Sequence, residues 1–264
     1  MKLCRFTYQA LSEPRYGIIE EDSVRPLIDT DAFGSRPLAH TDRIPLSKIR
    51  LLAPVTPSKI VCVGRNYREH AAELGNAMPS EPLLFLKAPS AIIASDEAIK
   101  LPSASAQVEH EGELGVIIGR TATHLSDEED PLAYVFGYTC VNDVTARDLQ
   151  RKDVQFTRAK SFDTFCPVGP FIMTDLNPAN STVITRVNGV IKQSANTSEM
   201  AFSVALLLRY ISRVMTLLPG DLIATGTPAG VSRLNDGDYV EVEIEGIGVL
   251  RNPVINTQEL EALR

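Results

Sequence analysis

Apolar and polar positions alternate along much of the chain, most plainly over residues 108–118, VEHEGELGVII. A period of two places Glu109, Glu111 and Glu113 on one side of a strand and His110, Gly112 and Leu114 on the other. Similar runs predict strands over 2–8, 15–20 and 23–28, with a Ser-Glu-Pro turn between the first two. Further strands are expected at 60–63, 83–87, 133–141, 172–174, 182–187, 190–193, 221–224, 239–244 and 248–253. Asn188-Gly189 marks a hairpin turn, and Pro167, Gly169 and Pro170 predict a break over 165–171. Helical periodicity is clearest over 202–215, where Leu206, Leu207, Tyr210, Ile211 and Val214 are expected to form the apolar face. Shorter helices are expected at 68–74 and in the segment TARDLQRKD. Many strands and few helices predict a predominantly β fold with short helices.

Residues 1–57 read as a small N-terminal β-rich domain and linker, with proline and charge recurring through Arg36-Pro37, Ile44-Pro45, Ala53-Pro54 and Pro57. Residues 58–264 read as the main, catalytic domain. A formal charge of -7 argues against nucleic acid or an anionic membrane as partner. A small anionic substrate stays compatible, because a bound dication and a few local cations reverse the field within one pocket. Cys4, Cys62, Cys140 and Cys166 are scattered and form no C-x-x-C pair, as expected of reduced cysteines in a cytoplasmic protein. The opening MKLCRF runs directly into polar sequence, so neither a signal peptide nor a membrane span is expected.

The acidic strand carries the first candidate chemistry. Glu111 and Glu113, with Asp143 at the end of a neighbouring strand, form an oxygen-ligand set suited to a hard divalent cation, and the thiolate and imidazole set of a structural zinc is missing. The same spacing equally fits a solvated acidic strand paired with Arg or Lys across the sheet. His70 and Glu73, three apart, share one face of a short helix, where a carboxylate can orient an imidazole for proton transfer at neutral pH. A surface contact fits that spacing too. The loop after them, with Gly75, Asn76, Pro79 and Ser80, reads as a lid. Lys87 either offsets the acidic site or caps a strand end in water. Residues 225–230, TGTPAG, match neither a Walker loop nor a dinucleotide fingerprint, and read as a carboxylate grip or a tight turn.

The segments GRNYREHAAE, FLKAPS, HEGELGVIIG, FGYTCVNDVTARDLQ, RAKSFDTFCPVGP, NGVIKQ, LLPGDLIATGTPAGV and GVLRNPV, in that order, resemble the motifs of the fumarylacetoacetate hydrolase family over residues 59–254. Separate motifs in one order are more specific than any one of them. The resemblance implies a mixed β roll of the family's own type with a small N-terminal β-rich domain. It also implies a homodimer, Mg2+ or Mn2+ held by Glu111, Glu113 and Asp143, and a small 2-oxo acid or diacid as substrate. In that setting His70, Glu73 and Lys160 are the expected catalytic residues, with Lys160 a pocket cation near the keto oxygen. Arg147 and Gln150 share a face and are expected to orient the distal end of the substrate, unless Arg147 serves only as ion-pair partner of Asp148 or Glu111. Thr227 is the expected carboxylate grip, and Arg65 and Tyr67 are expected to bind substrate or pack the lid. Cleavage of a C–C bond through a metal-stabilised enolate, by acylpyruvate hydrolysis or oxaloacetate decarboxylation, comes first. Isomerisation of a 2-hydroxy-diene-dioate and a catalytically silent dimeric scaffold are the alternatives.

Overall fold

The computed structural model describes residues 1–8, 13–28, 32–33 and 38–256. Arg36-Pro37 of the expected linker and Ser12 of the first turn lie outside the described residues. The fold is predominantly β, with two large sheets. The first runs through Ile44–Pro45, Ser23–Pro26, Arg15–Glu20, Lys2–Tyr8, Cys166–Met173, Val135–Asn142, Gly112–Ile118, Leu222–Ala224, Ile60–Gly64 and Leu83–Lys87. Its N-terminal strands join the rest where Lys2–Tyr8 pairs antiparallel with Cys166–Met173. The second sheet orders Val190–Asn196, Thr182–Val187, Tyr239–Ile244, Gly248–Asn256 and Ile99–Leu101.

Gly112–Ile118 lies near the middle of the first sheet and is buried on both faces, which explains its nearly continuous apolar run. Leu114, Val116 and Ile118 pack towards Val183, Val242 and Leu250 of the second sheet, whereas Ile117 packs with Val141, Val168 and Leu222. Each such buried aliphatic side chain contributes about 1.5–3 kcal/mol of transfer free energy. Asn188 and Gly189 both take positive φ, 52° and 77°, as a two-residue hairpin turn requires. The four cysteines are free and buried. Among the described residues no helix is long and apolar enough to cross a membrane.

Three local expectations are corrected. The acidic run is two strands: Val108–Glu109 pairs with Thr145–Ala146, and Gly112–Ile118 pairs with Val135–Asn142. The change of partner falls at His110 and Glu111, where Asn142 Oδ1 accepts the Glu111 N–H and Glu111 O accepts the Asp143 N–H, at 3.0 and 2.8 Å. The expected break at 165–171 is a strand, Cys166–Met173. Its register against Val135–Asn142 shifts between Tyr138 and Cys140, and such an irregularity accommodates proline inside a sheet. The helix Val204–Val214 buries Val204, Leu207, Leu208 and Ile211, leaving Leu206 and Val214 at 44% and 60% exposure. Two overlapping apolar stripes are present in this helix. The loop before residue 126 selects one of them, because Ser212 accepts the N–H of Leu125 on its hydroxyl and that of His124 on its carbonyl.

Candidate active site

The strand register brings the three metal-type carboxylates together. Gly112 lies opposite Asn142, so Glu111 and Glu113 flank the end of the strand from which Asp143 emerges. Each offers an oxygen, and these oxygens lie within 4.8 Å of one another. The glycine between the two glutamates is required, because a Cβ there would stand 2.0 Å from Thr185 Oγ1 of the second sheet.

Three cations face this cluster, and they are shared unevenly. Lys87 Nζ donates to Asp143 Oδ1 at 2.6 Å and to the Val144 carbonyl at 3.1 Å. Lys160 Nζ donates to Glu111 Oε2 at 2.8 Å and to Asp143 Oδ2 at 2.7 Å. Arg147 donates through Nε to Glu109 at 2.8 Å and through Nη2 to Glu111. Burial opposes ionisation of Glu111, but Lys160 and Arg147 outweigh it and hold its pKa well below the carboxylate range. Burial likewise disfavours the Lys160 ammonium, and Asp143 and Glu111 outweigh it and raise that pKa. Glu113 differs: burial, then the charges of Asp143 and Glu111, push its pKa well up, and its hydrogen-bond donor is the Gly226 N–H at 2.7 Å. No salt bridge reaches Glu113 among the described residues. Three hard oxygen donors in close array, one lacking a cation, fit Mg2+ or Mn2+.

His70 and Glu73 come from the helix Arg68–Glu73. His70 is buried, with Nδ1 3.4 Å from Glu73 Oε2, and Glu73 also accepts the Gly230 N–H at 3.0 Å. Burial lowers the His70 pKa, partly opposed by the charge of Glu111. A cavity of about 360 Å³ joins this pair to the three carboxylates, a size that admits a small ligand.

Every predicted site residue except Tyr67 lines this cavity. Tyr67 is buried and lines a separate cavity, its hydroxyl without a hydrogen-bond partner among the described residues. Arg147 is engaged with Glu109, Glu111 and, through Nη1, Gln150. Asp148 accepts instead from Ser105 and Ala106. The Thr227 hydroxyl donates to the Gly112 carbonyl at 2.9 Å and accepts from Gln193 Nε2 at 2.7 Å, so its hydrogen is directed into the scaffold. Lys160 ends the short helix Thr157–Lys160 and is buried, so the solvated strand-end alternative does not apply. Glu109 and Gln193 are the residues that sequence reading left without a role. Gln193 was detectable only as a polar residue at the inward position of an otherwise exposed strand segment.

Residues 59–255 match the family described as fumarylacetoacetate (FAA) hydrolase, C-terminal. The chain belongs to the fumarylacetoacetate hydrolase family. Residues 1–54 match a second description, Rv2993c-like, N-terminal. Within the fumarylacetoacetate hydrolase family the chain is similar to oxaloacetate tautomerase YisK of Bacillus subtilis, with 43% identity covering 79% of this chain and 74% of that protein. It is also similar to the crystal structure of 2-hydroxyhepta-2,4-diene-1,7-dioate isomerase from Mycobacterium marinum, with 44% identity and a TM-score of 0.88 over 98% of this chain and 99% of the other. Maleylpyruvate hydrolase from Sphingobium sp. SYK-6 gives 31% identity and a TM-score of 0.80 over 97% of this chain and 100% of the other.

Proposed function

We propose that the chain moves a proton at the carbon beside the carbonyl of a small 2-oxo diacid, an enolisation, with Glu111, Glu113 and Asp143 holding Mg2+ or Mn2+. The observation that carries this reading is the placement of His70, with Glu73 at its Nδ1, in the same cavity as the three carboxylates. When bound, the cation supplies Lewis-acid polarisation of the keto and carboxylate oxygens of a 2-oxo acid. Burial keeps the His70 imidazole neutral and able to accept a proton near neutral pH. Glu73 takes the Nδ1 hydrogen, which leaves the Nε2 lone pair for the substrate's C3 proton and stabilises the imidazolium that results. Lys160 directs two of its three hydrogens to Glu111 and Asp143, and the third serves the oxygen on which charge develops. Return of the proton to carbon or to oxygen completes a tautomerisation. Similarity to a named tautomerase and a named isomerase supports this reading.

C–C bond cleavage of the same class of acid is the second reading, supported by the likeness to a maleylpyruvate hydrolase. In acylpyruvate hydrolysis His70 takes its proton from water, and in oxaloacetate decarboxylation no base for water is needed. A silent scaffold is disfavoured, since Glu113, buried beside Asp143 and Glu111 with no salt bridge among the described residues, is costly to a fold that does not use it. The test is to load the protein with Mn2+ and to follow keto–enol interconversion of oxaloacetate, CO2 release and acylpyruvate hydrolysis separately, for the wild type and His70→Ala. The expected result is fast interconversion that falls about a hundredfold or more in the variant. Wild-type protein that turns over none of these acids with either ion overturns the proposal.

A further inference from the structure

The turn over residues 227–232 runs from the cavity wall at Thr227 to the edge strand Val190–Asn196. It is tied down at both ends and in the middle. At its start, Gln193 Nε2 donates to Thr227 Oγ1 and to the Pro228 carbonyl, each at 2.7 Å. At its end, Ser232 Oγ lies 2.8 Å from His110 Nε2, and the Ser232 carbonyl accepts the His110 N–H at 3.3 Å. Between them Gly230 presses on the edge strand. A Cβ there would stand 1.9 Å from the Lys192 carbonyl oxygen, and its φ of 101° lies in the region that favours glycine.

The polarity of these bonds fixes the His110 ring. The Gly112 N–H can only donate and the Pro228 carbonyl can only accept, which turns Gln193 Oε1 towards Gly112 and His110 Nδ1. His110 Nδ1 therefore carries the hydrogen, and Nε2 accepts that of the Ser232 hydroxyl. His110 is buried, so its ring is a strut between the acidic strand and the turn.

One group receives this rigidity. The Gly230 N–H donates to both oxygens of Glu73, at 3.0 and 3.2 Å, and Glu73 Oε2 faces His70 Nδ1 at 3.4 Å. The carboxylate that this turn grips is the protein's own. Left to itself, the Glu73 side chain is 32% exposed and flexible, and it comes from a helix of six residues, too short to be rigid alone. A carboxylate that moves freely no longer selects which nitrogen of His70 carries the hydrogen. The structure assigns Gly230 as a positioning residue: its N–H, on a turn clamped by His110 and Gln193, holds the Glu73 carboxylate against His70 and so selects the imidazole tautomer whose Nε2 accepts a proton. This rests on the enolisation proposed above only for the reaction that is followed.

The experiment starts from Gly230→Ala, whose added Cβ must push the turn off Lys192 and carry its N–H away from Glu73. In the Mn2+-loaded variant, kcat for keto–enol interconversion of oxaloacetate should fall about tenfold. The calorimetric Kd of Mn2+ should hold, since the three carboxylates come from other elements. The double variant Glu73→Ala, Gly230→Ala should be no slower than Glu73→Ala alone, because the turn acts only through that carboxylate. In 15N NMR of the Mg2+-loaded protein, with the His70 ring assigned by its loss in His70→Ala, the wild type should show one tautomer, protonated at Nδ1, and Gly230→Ala a mixture. Ser232→Ala frees one end of the turn without a clash and should show the same pattern more weakly, and Ser232→Thr, which keeps the hydroxyl, should behave as the wild type. If Gly230→Ala fails to fold, the Ser232 pair carries the test. Losses that multiply in the double variant, or a single tautomer that persists in both Gly230→Ala and Ser232→Ala, overturn the assignment and leave enolisation standing. Wild-type protein that shows the Nδ1-protonated tautomer, lost in Gly230→Ala, but does not turn over oxaloacetate overturns enolisation and leaves the assignment standing.

Discussion

Glu113 and Asp143 share one corner of the cavity but are not equivalent: Asp143 receives Lys87 and Lys160 at 2.6 and 2.7 Å, whereas Glu113 receives the Gly226 N–H. Without an ion, ionising Glu113 would place a buried charge beside Asp143 and Glu111, so its neutral form is favoured. Glu113→Gln should therefore leave the metal-free protein at least as stable as the wild type while abolishing stabilisation by Mg2+ or Mn2+. In the wild type, about one ion per chain is expected, with about 2.7 kcal/mol of stabilisation at a hundredfold excess over Kd. Calorimetric metal titration and thermal melting of both proteins check this.

The raised Glu113 pKa also sets a pH trend. Burial first, then Asp143 and Glu111, favour its protonated form in the folded chain. The folded state thus holds a proton that the unfolded chain releases near the ordinary Glu range. The Glu113 contribution to metal-free stability should fall as pH rises above that range towards the raised pKa. Ion binding needs the carboxylate, so the ion-induced increment should grow over the same window. Urea denaturation across pH with chelator, and again with Mn2+, should give opposite slopes for these two quantities, and parallel slopes would contradict the assignment.

Gln193 joins the second sheet to the site. Its Oε1 accepts the Gly112 N–H at 3.0 Å, and its Nε2 donates to Thr227 Oγ1 and the Pro228 carbonyl, each at 2.7 Å. Gln193→Met keeps the volume and leaves buried polar groups unpaired, at about 1–3 kcal/mol for each. Chemical denaturation should detect that loss. Manganese affinity should weaken in the same variant, because Gly112 is the link between Glu111 and Glu113.

Asp221 anchors the chain just before the strand Ile60–Gly64: it accepts from the Ser58 hydroxyl at 2.7 Å and the Leu218 N–H at 2.8 Å, and it pairs with Lys59. Burial raises its pKa, but these hydrogen bonds outweigh it and the pKa is lowered. A depressed folded pKa contributes stability that is present above the ordinary Asp range and lost as pH falls through the folded value. Asp221→Asn should melt below the wild type at neutral pH, and the gap should close in strong acid.

We expect two copies to associate, as the family resemblance implies. Sedimentation at micromolar concentration should give twice the chain mass, and a concentration-independent monomer would count against a dimer.

The sequence by itself determined the β-rich class, most strand positions, the hairpin at Asn188-Gly189, the nearness of Glu111 and Glu113, and the shared helical face of His70 and Glu73. These are local matters, set by periods of two and 3.6 and by backbone preferences at single residues. Tertiary structure decided which distant groups meet them. Lys87 and Lys160 reach Asp143 from separate elements, and neither pairing leaves a mark in local spacing. It also decided that the acidic run changes partner at His110 and Glu111, and that the Ser212 contacts choose between two apolar stripes of one helix. It admitted Pro167 and Pro170 to a buried strand. Periodicity reports which side of an element faces inward, whereas the identity of what covers that side depends on long-range packing.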